Sequence, residues 1–231
     1  MITDGLTPLA FLAFAGAVLL TGAGIVAVLV AFYLGRRDFA RRVTIAAALC
    51  WASYGVVLVA TSLVTRERVL TVGQEKHICE LDCHLAYAVQ DLRTAQVLGA
   101  GALAARGAFY VVRVRARFDS GTIATWRPRD VPVRPGPREI ALVDDAGHRY
   151  PADAAAGRGL AAGSGEAEPL SRSLLPGESY VTTLVFDIPK DARGLRLDLG
   201  ARAGPPDLFI IGYEHSLWHK KTLFALPAPE G

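Results

Sequence analysis

The stretch Lys76-His77-Ile78-Cys79-Glu80-Leu81-Asp82-Cys83-His84 concentrates more chemistry than any other part of the chain. Thiolate and imidazole suit copper and zinc, so His77, Cys79, Cys83 and His84 form a candidate metal set, with His219 as a further candidate ligand. Cys79 and Cys83 are equally a disulfide candidate, because an extracytoplasmic cysteine pair is normally oxidised. If His77 to Val89 runs as one straight strand, then His77, Cys79, Leu81, Cys83, Leu85, Tyr87 and Val89 share an inward face. The Cα atoms of Cys79 and Cys83 then stand roughly 13 Å apart, beyond the ~7 Å that a disulfide tolerates. A turn at Glu80-Leu81-Asp82 would bring the two sulfurs together, and one or both histidines with them. Disulfide, shared metal ion and separate thiols are all compatible with the spacing.

Other chemistry is sparse. Cys50 sits in an apolar run and reads as filler. His215 and His219 are four apart and can share one side of a helical turn, or lie in an exposed loop. If the last strand lies near the first, His219 is brought towards Cys79 and Cys83. There is no Gly-x-Ser-x-Gly elbow, no phosphate-binding Gly-Lys-Ser/Thr loop and no His-Glu-x-x-His. Gly99-Ala100-Gly101-Ala102-Leu103-Ala104 precedes a strand rather than a helix, which makes it a small-residue loop rather than a dinucleotide site. Glu80 and Asp82 are two carboxylates without a pocket to tune them, so no catalytic residue is assigned and the chain is not expected to be an enzyme. A net charge of +3 without a Lys/Arg block excludes a nucleic-acid partner.

The elements that position these residues begin with two apolar runs. From Pro8 to Leu34, and again from Val43 to Val64, no residue is charged, and each run exceeds the roughly 20 helical residues that cross a bilayer. Residues 1–65 are therefore expected to be a membrane anchor of two transmembrane helices. The first is not a secretory signal peptide, because Met1 to Thr7 carries Asp4 and no basic residue, and a second span follows. The loop 35–42 holds Arg36, Arg37, Arg41 and Arg42, and the positive-inside bias places it in the cytoplasm, with both termini outside. Ala13, Ala17 and Thr21 are spaced either for close helix approach or for a lipid-facing surface. Lys occurs only at 76, 190, 220 and 221 and Asn nowhere, a bias that fits a GC-rich bacterial genome and the inner membrane of a bacterium.

Beyond residue 65 the apolar period becomes two. Tyr110, Val112, Val114, Ala116 and Phe118 alternate with Arg113, Arg115 and Arg117, one strand with a core face and a wet face. Tyr180, Leu184, Phe186 and Ile188 repeat the pattern, as do Leu195, Leu197 and Leu199; further strands are expected at Glu139 to Val143 and Leu208 to Tyr213. Ala152 to Pro169 reads as a long mobile loop. The fold class is two transmembrane helices followed by an all-β sandwich over 66–231, periplasmic or extracellular.

The succession Leu85 to Val89, Phe109 to Val114, Leu142 to Tyr150, Leu175-Pro176-Gly177-Glu178 and Leu184 to Pro189 resembles the immunoglobulin-like extracellular domains of bacteria, a group without an assigned function. The resemblance spans roughly Leu85 to Leu199 and implies fold rather than activity. The layout of two helices and an outer β domain is also similar to cytochrome c oxidase subunit II, whose copper centre uses a Cys-x-Glu-x-Cys loop. Cys79 and Cys83 have that spacing, but the rest departs from the family: His84 is adjacent to the second cysteine, Met1 is the only methionine, and the pair opens the domain instead of lying late in the chain. The resulting expectation is a membrane-anchored binding or assembly module whose partner is an envelope protein, a lipid head group or an envelope polymer. Its alternative is a copper- or zinc-binding envelope protein.

Overall fold

In a computed structural model, residues 7–80, 82–98, 103–164 and 168–226 are described. Asp4, Leu81, the tip of the small-residue loop at 99–102 and part of the expected mobile loop, 165–167, lie outside them. The chain divides into two compact units, one of Met1–Glu67 with Ala203–Lys221 and one of Arg68–Arg202 with Thr222–Gly231. The sequence-based division at residue 65 assigns Ala203–Lys221 to the β domain, whereas here that segment belongs with the helices.

Helix α1 (Thr7–Tyr33) and helix α2 (Arg37–Val64) are each long and apolar enough to cross a membrane. Their outward side chains are apolar, with Leu19 74% and Leu63 70% exposed, a surface stable against acyl chains and costly against water. The turn between them is shorter than the expected loop 35–42. Gly35, at a positive φ, breaks α1, and α2 already begins at Arg37, so Arg41 and Arg42 lie on its first turns. Small residues form the helix contact. Ala10, Ala31 and Ala40 are buried, a Cβ added at Gly24 would lie 3.8 Å from a Val43 methyl, and Trp51 Nε1 donates to Thr21 Oγ1 at 2.8 Å. Of the expected small-residue row, Ala17 and Thr21 are half-buried while Ala13 faces outward.

The second unit is two sheets. Strands β1 (Arg68–Leu70), β2 (Lys76–Cys79), β3 (His84–Leu98), β4 (Leu103–Asp119), β5 (Arg138–Val143), β6 (Arg149–Pro151), β7 (Ser179–Ile188), β8 (Arg196–Ala201) and β9 (Thr222–Ala225) arrange as β2-β3-β4-β7 and β1-β9-β8-β5-β6. All pairs are antiparallel except β1 with β9. Of the inward residues expected from the alternation, Leu85, Tyr87, Val112, Val114, Phe118 and Phe186 of one sheet share a core with Leu197 and Leu199 of the other, where Leu142 and Phe224 join them. Each such side chain contributes about 1.5–3 kcal/mol on burial, and this common core holds the sheets together. Edge strand β6 has three residues and ends in Pro151, which blunts pairing with a stray strand.

Two expectations are corrected. The loop expected over 152–169 contains helix α3 (Ala154–Ser164), capped by Asp153, whose carboxylate accepts from the Ala155 and Ala156 amides at 2.9 Å. Ala156 packs on Phe109, Val111 and Val185, so α3 covers the outer face of the four-stranded sheet where β4 carries no arginine. The strand expected at Leu208 to Tyr213 is instead a 3₁₀ turn, Pro205–Phe209, followed by tight turns. Pro205 and Pro206 preset its φ angles, and the Gly204 amide donates to Asp207 Oδ2 at 2.6 Å.

Candidate functional site at the β2–β3 turn

The Cys/His segment folds as a hairpin. Cys79 pairs with His84, Ile78 with Leu85, His77 with Ala86 and Lys76 with Tyr87. Directly paired residues of an antiparallel ladder face the same side, so this register fixes every side chain. Ile78 and Lys76 point inward with Leu85 and Tyr87; His77 and Cys79 point outward with His84. This reverses the straight-strand expectation for His77 and Cys79 and keeps it for Cys83, which is buried in the core.

The two sulfurs therefore lie on different sides of the hairpin. Cys79 is exposed, Cys83 is 1% exposed, and no disulfide joins them. Among the described residues no group of three His, Cys, Asp or Glu side chains is placed to hold a metal ion, so His77, Cys79, Cys83, His84 and His219 form no common copper or zinc site. The last strand does lie beside the first, as β9 on β1, but Cys79 ends β2 and Cys83 immediately precedes β3, both strands of the other sheet. His215 and His219 belong to the helical unit. Burial, and then the adjacent Asp82 charge, push the Cys83 thiol up to about 12, which leaves it a protonated core group rather than a thiolate ligand.

What holds the turn are its carboxylates. Glu80 pairs with Arg138 at the start of β5 and accepts from the Gly136 amide at 3.3 Å. Arg138 in turn donates from Nε to the Tyr87 hydroxyl at 3.1 Å and lies over the Tyr87 ring. Asp82 takes Arg127 Nη1 on both carboxylate oxygens at 2.7 Å, and this hydrogen bonding holds its pKa below the ordinary carboxylate value. The Asp82 carbonyl accepts from the Ala124 amide at 2.8 Å, and the His84 amide donates to Thr122 Oγ1 at 3.0 Å. The β4–β5 connection is thus stapled to the β2–β3 turn at four points, and it presents Trp126 with 72% of its surface exposed. Sequence reasoning passed over Arg127, Arg138 and Trp126; the carboxylate pair without a pocket was the available sign that Glu80 and Asp82 are ion-pair partners.

The outward side of the hairpin joins a second network. Glu75 accepts from Arg115 at 3.0 Å and Arg117 at 2.6 Å, and the Arg117 hydrogen bond chiefly lowers its pKa. His77 Nε2 lies 3.2 Å from Asp119 Oδ2, and its ring meets that of His84 edge-on at 6.3 Å. The Arg113, Arg115, Arg117 row, expected as a solvated strand face, is a row of ion pairs, with Arg113 on Asp91 at 3.1 Å. An open groove beside the turn is lined by Arg134, Gly136, Pro137, Arg138, Ile140 and Leu170.

No protein-family model matches the chain, and no curated protein matches it. Among solved structures it is similar to the secreted protein MPT63 of Mycobacterium tuberculosis, at 12% identity and a TM-score of 0.43 over 69% of this chain and 98% of that one. The yjhA protein of Bacillus subtilis gives 11% identity and a TM-score of 0.42, covering 69% of this chain and 100% of that one. A conserved hypothetical protein from Bacillus anthracis gives 16% identity and 0.36, covering 55% and 89%. These likenesses are to β-rich bacterial proteins and assign no activity to the chain.

Proposed function

We propose that the chain is a non-catalytic binding or assembly module of the bacterial inner membrane, whose two helices carry an immunoglobulin-like domain on the extracytoplasmic side. The observation that carries this reading is Trp126, exposed on a connection that Arg127, Ala124 and Thr122 fix to the β2–β3 turn. A large aromatic side chain held out by a rigid support is the kind of anchor on which protein interfaces concentrate their energy, since little freedom is lost when it is buried. Arg36, Arg37, Arg41 and Arg42 at the helix turn support an orientation with that turn in the cytoplasm.

Two experiments test the reading. Protease added to sealed inverted vesicles should leave the β domain intact, and digestion there overturns the orientation. Purification of the full chain in mild detergent should bring down an envelope protein that Trp126→Ala loses while thermal unfolding is unchanged. Equal recovery of that protein with both chains removes Trp126 as the anchor.

A further inference from the structure

The segment Ala203–Lys221 leaves the β domain and packs on the two helices. The Phe209 ring stacks on Phe14 at 6.3 Å and 4° between planes. The Phe209 carbonyl accepts from the Tyr54 hydroxyl at 2.6 Å, and the Lys220 amide donates to Thr65 Oγ1 at 3.3 Å. Phe14 lies about 10 Å along α1 from Thr7, and Tyr54 about 15 Å along α2 from Val64, at 1.5 Å per residue. The segment therefore returns from the helix ends at Thr65 to a depth well inside the apolar length of both helices.

A chain at that depth must satisfy its own backbone. Here the Ile210, Tyr213, Ser216 and His219 amides donate to carbonyls three residues back, and the Leu217 amide donates to the Leu208 carbonyl, which closes the loop on itself. Apart from Lys220 its exposed side chains are apolar, Leu208, Phe209, Leu217 and Trp218 among them, while Asp207 and Glu214 are half-buried. Trp218 is the one non-glycine residue with positive φ among those described, a conformation uncommon for a bulky side chain, and its ring is turned outward. Lys220 and Lys221 follow where the segment returns to the helix ends.

We propose that Ala203–Lys221 is a re-entrant loop inserted in the leaflet from which Thr7 and Val64 emerge, with Leu208, Phe209, Leu217 and Trp218 in contact with lipid acyl chains. The occupant is lipid because this surface continues the lipid-facing surface of α1 and α2 at the level of Phe14 and Tyr54. Tryptophan at its rim suits the headgroup boundary, where an amphipathic ring is stable. The proposal rests on the reading that α1 and α2 span a membrane.

The test uses the full chain in phosphatidylcholine vesicles, in three forms that each retain one tryptophan, made by Trp→Phe replacement at the other two of Trp51, Trp126 and Trp218. Lipids brominated near the headgroup end or near the methyl end of the acyl chain serve as quenchers. Trp51 reports on the span and Trp126 on the β domain. The expected result is quenching of Trp218, strongest with shallow bromines, quenching of Trp51, and none of Trp126. Quenching of Trp51 without Trp218 overturns the re-entrant loop alone; loss of Trp51 quenching overturns the span reading beneath it. On the unmodified chain, an apolar photoactivatable probe dissolved in the bilayer should label the tryptic peptide 203–220 as it labels the helices, and an unlabelled 203–220 beside labelled helices likewise overturns the proposal.

Discussion

The ion pair that holds the β2–β3 turn gives the sharpest energetic prediction. Arg138 has 4% of its side chain exposed and Glu80 16%, so both charges are largely withdrawn from water and each depends on the other. Removing one partner of a buried pair costs about 3–5 kcal/mol, whereas replacing both with apolar side chains of similar volume is often neutral. Glu80→Leu strands the more buried guanidinium and should fall at the upper end of that range. Arg138→Met leaves a carboxylate that still accepts from Gly136 and reaches some water, and should fall at the lower end. At about 2–4 °C per kcal/mol for a chain of this size, the single variants should lose roughly 6–20 °C of thermal stability, Glu80→Leu more than Arg138→Met. The double variant should recover most of the loss, read by circular dichroism of the full chain in detergent micelles. Losses that simply add in the double variant would refute the claim that the two charges stabilise each other.

Three further outcomes follow from single contacts. In the folded chain at pH 8, maleimide should modify Cys79 and spare Cys83, whose thiol is pushed up to about 12; Cys83 should react only on denaturation, with peptide mass spectrometry as the readout. If neither thiol reacts until a reductant is added, the two are joined and the hairpin described here is wrong. Burial works to raise the Asp144 pKa, but hydrogen bonds from the His148 ring and amide and from Tyr150 outweigh it and hold the group at about 2, below its ordinary 3.8. A depressed carboxylate pKa stabilises the fold above about pH 4, and that contribution is lost as pH falls through about 2. Tyr150→Phe should therefore move the acid-unfolding midpoint to higher pH, and an unmoved midpoint removes Asp144 from the acid response. Gly107 lies so close to the Ile188 carbonyl of β7 that an added Cβ would overlap backbone, and Gly107→Ala should cost about 1–3 kcal/mol by displacing β7 from β4. Unchanged denaturant midpoints would show that the strands give way freely.

The parts of this fold that were legible in the sequence are those set by local period. Uncharged runs gave α1 and α2 because a helix in lipid needs only length and apolarity. The alternation along β4 gave its core face because a strand keeps side-chain parity along its length, and Val112, Val114, Ala116 and Phe118 are all buried. Helix α3 was not legible: Ala154 to Ser164 has three glycines and no amphipathic stripe, and it is held by the Asp153 cap and by contact with β4 and β7. Leu208 to Tyr213 reads as strand by composition, yet Pro205 and Pro206 commit its start to a turn, and the segment's partners Phe14 and Tyr54 lie far away in sequence.

The candidate site failed to be legible for one reason, the length of a turn. In a hairpin, paired residues share a face, and pairing Cys79 with His84 joins odd positions of β2 to even positions of β3. One residue more or fewer between them would restore the parity of a straight strand and place His77 and Cys79 on the face of Cys83. Nothing in the residue types from His77 to His84 states that length. Arg127 and Arg138 reach the turn from 45 and 58 residues away along the chain and hold Asp82 and Glu80 in place. The thiols stand apart through the register of the hairpin, whose turn is bound by cations from outside the Cys/His segment, and the same contacts hold the connection that presents Trp126. Residues that suggest a metal ligand set in one dimension lie, in three, on opposite sides of a hairpin whose turn is tied by ion pairs to the connection carrying the exposed Trp126.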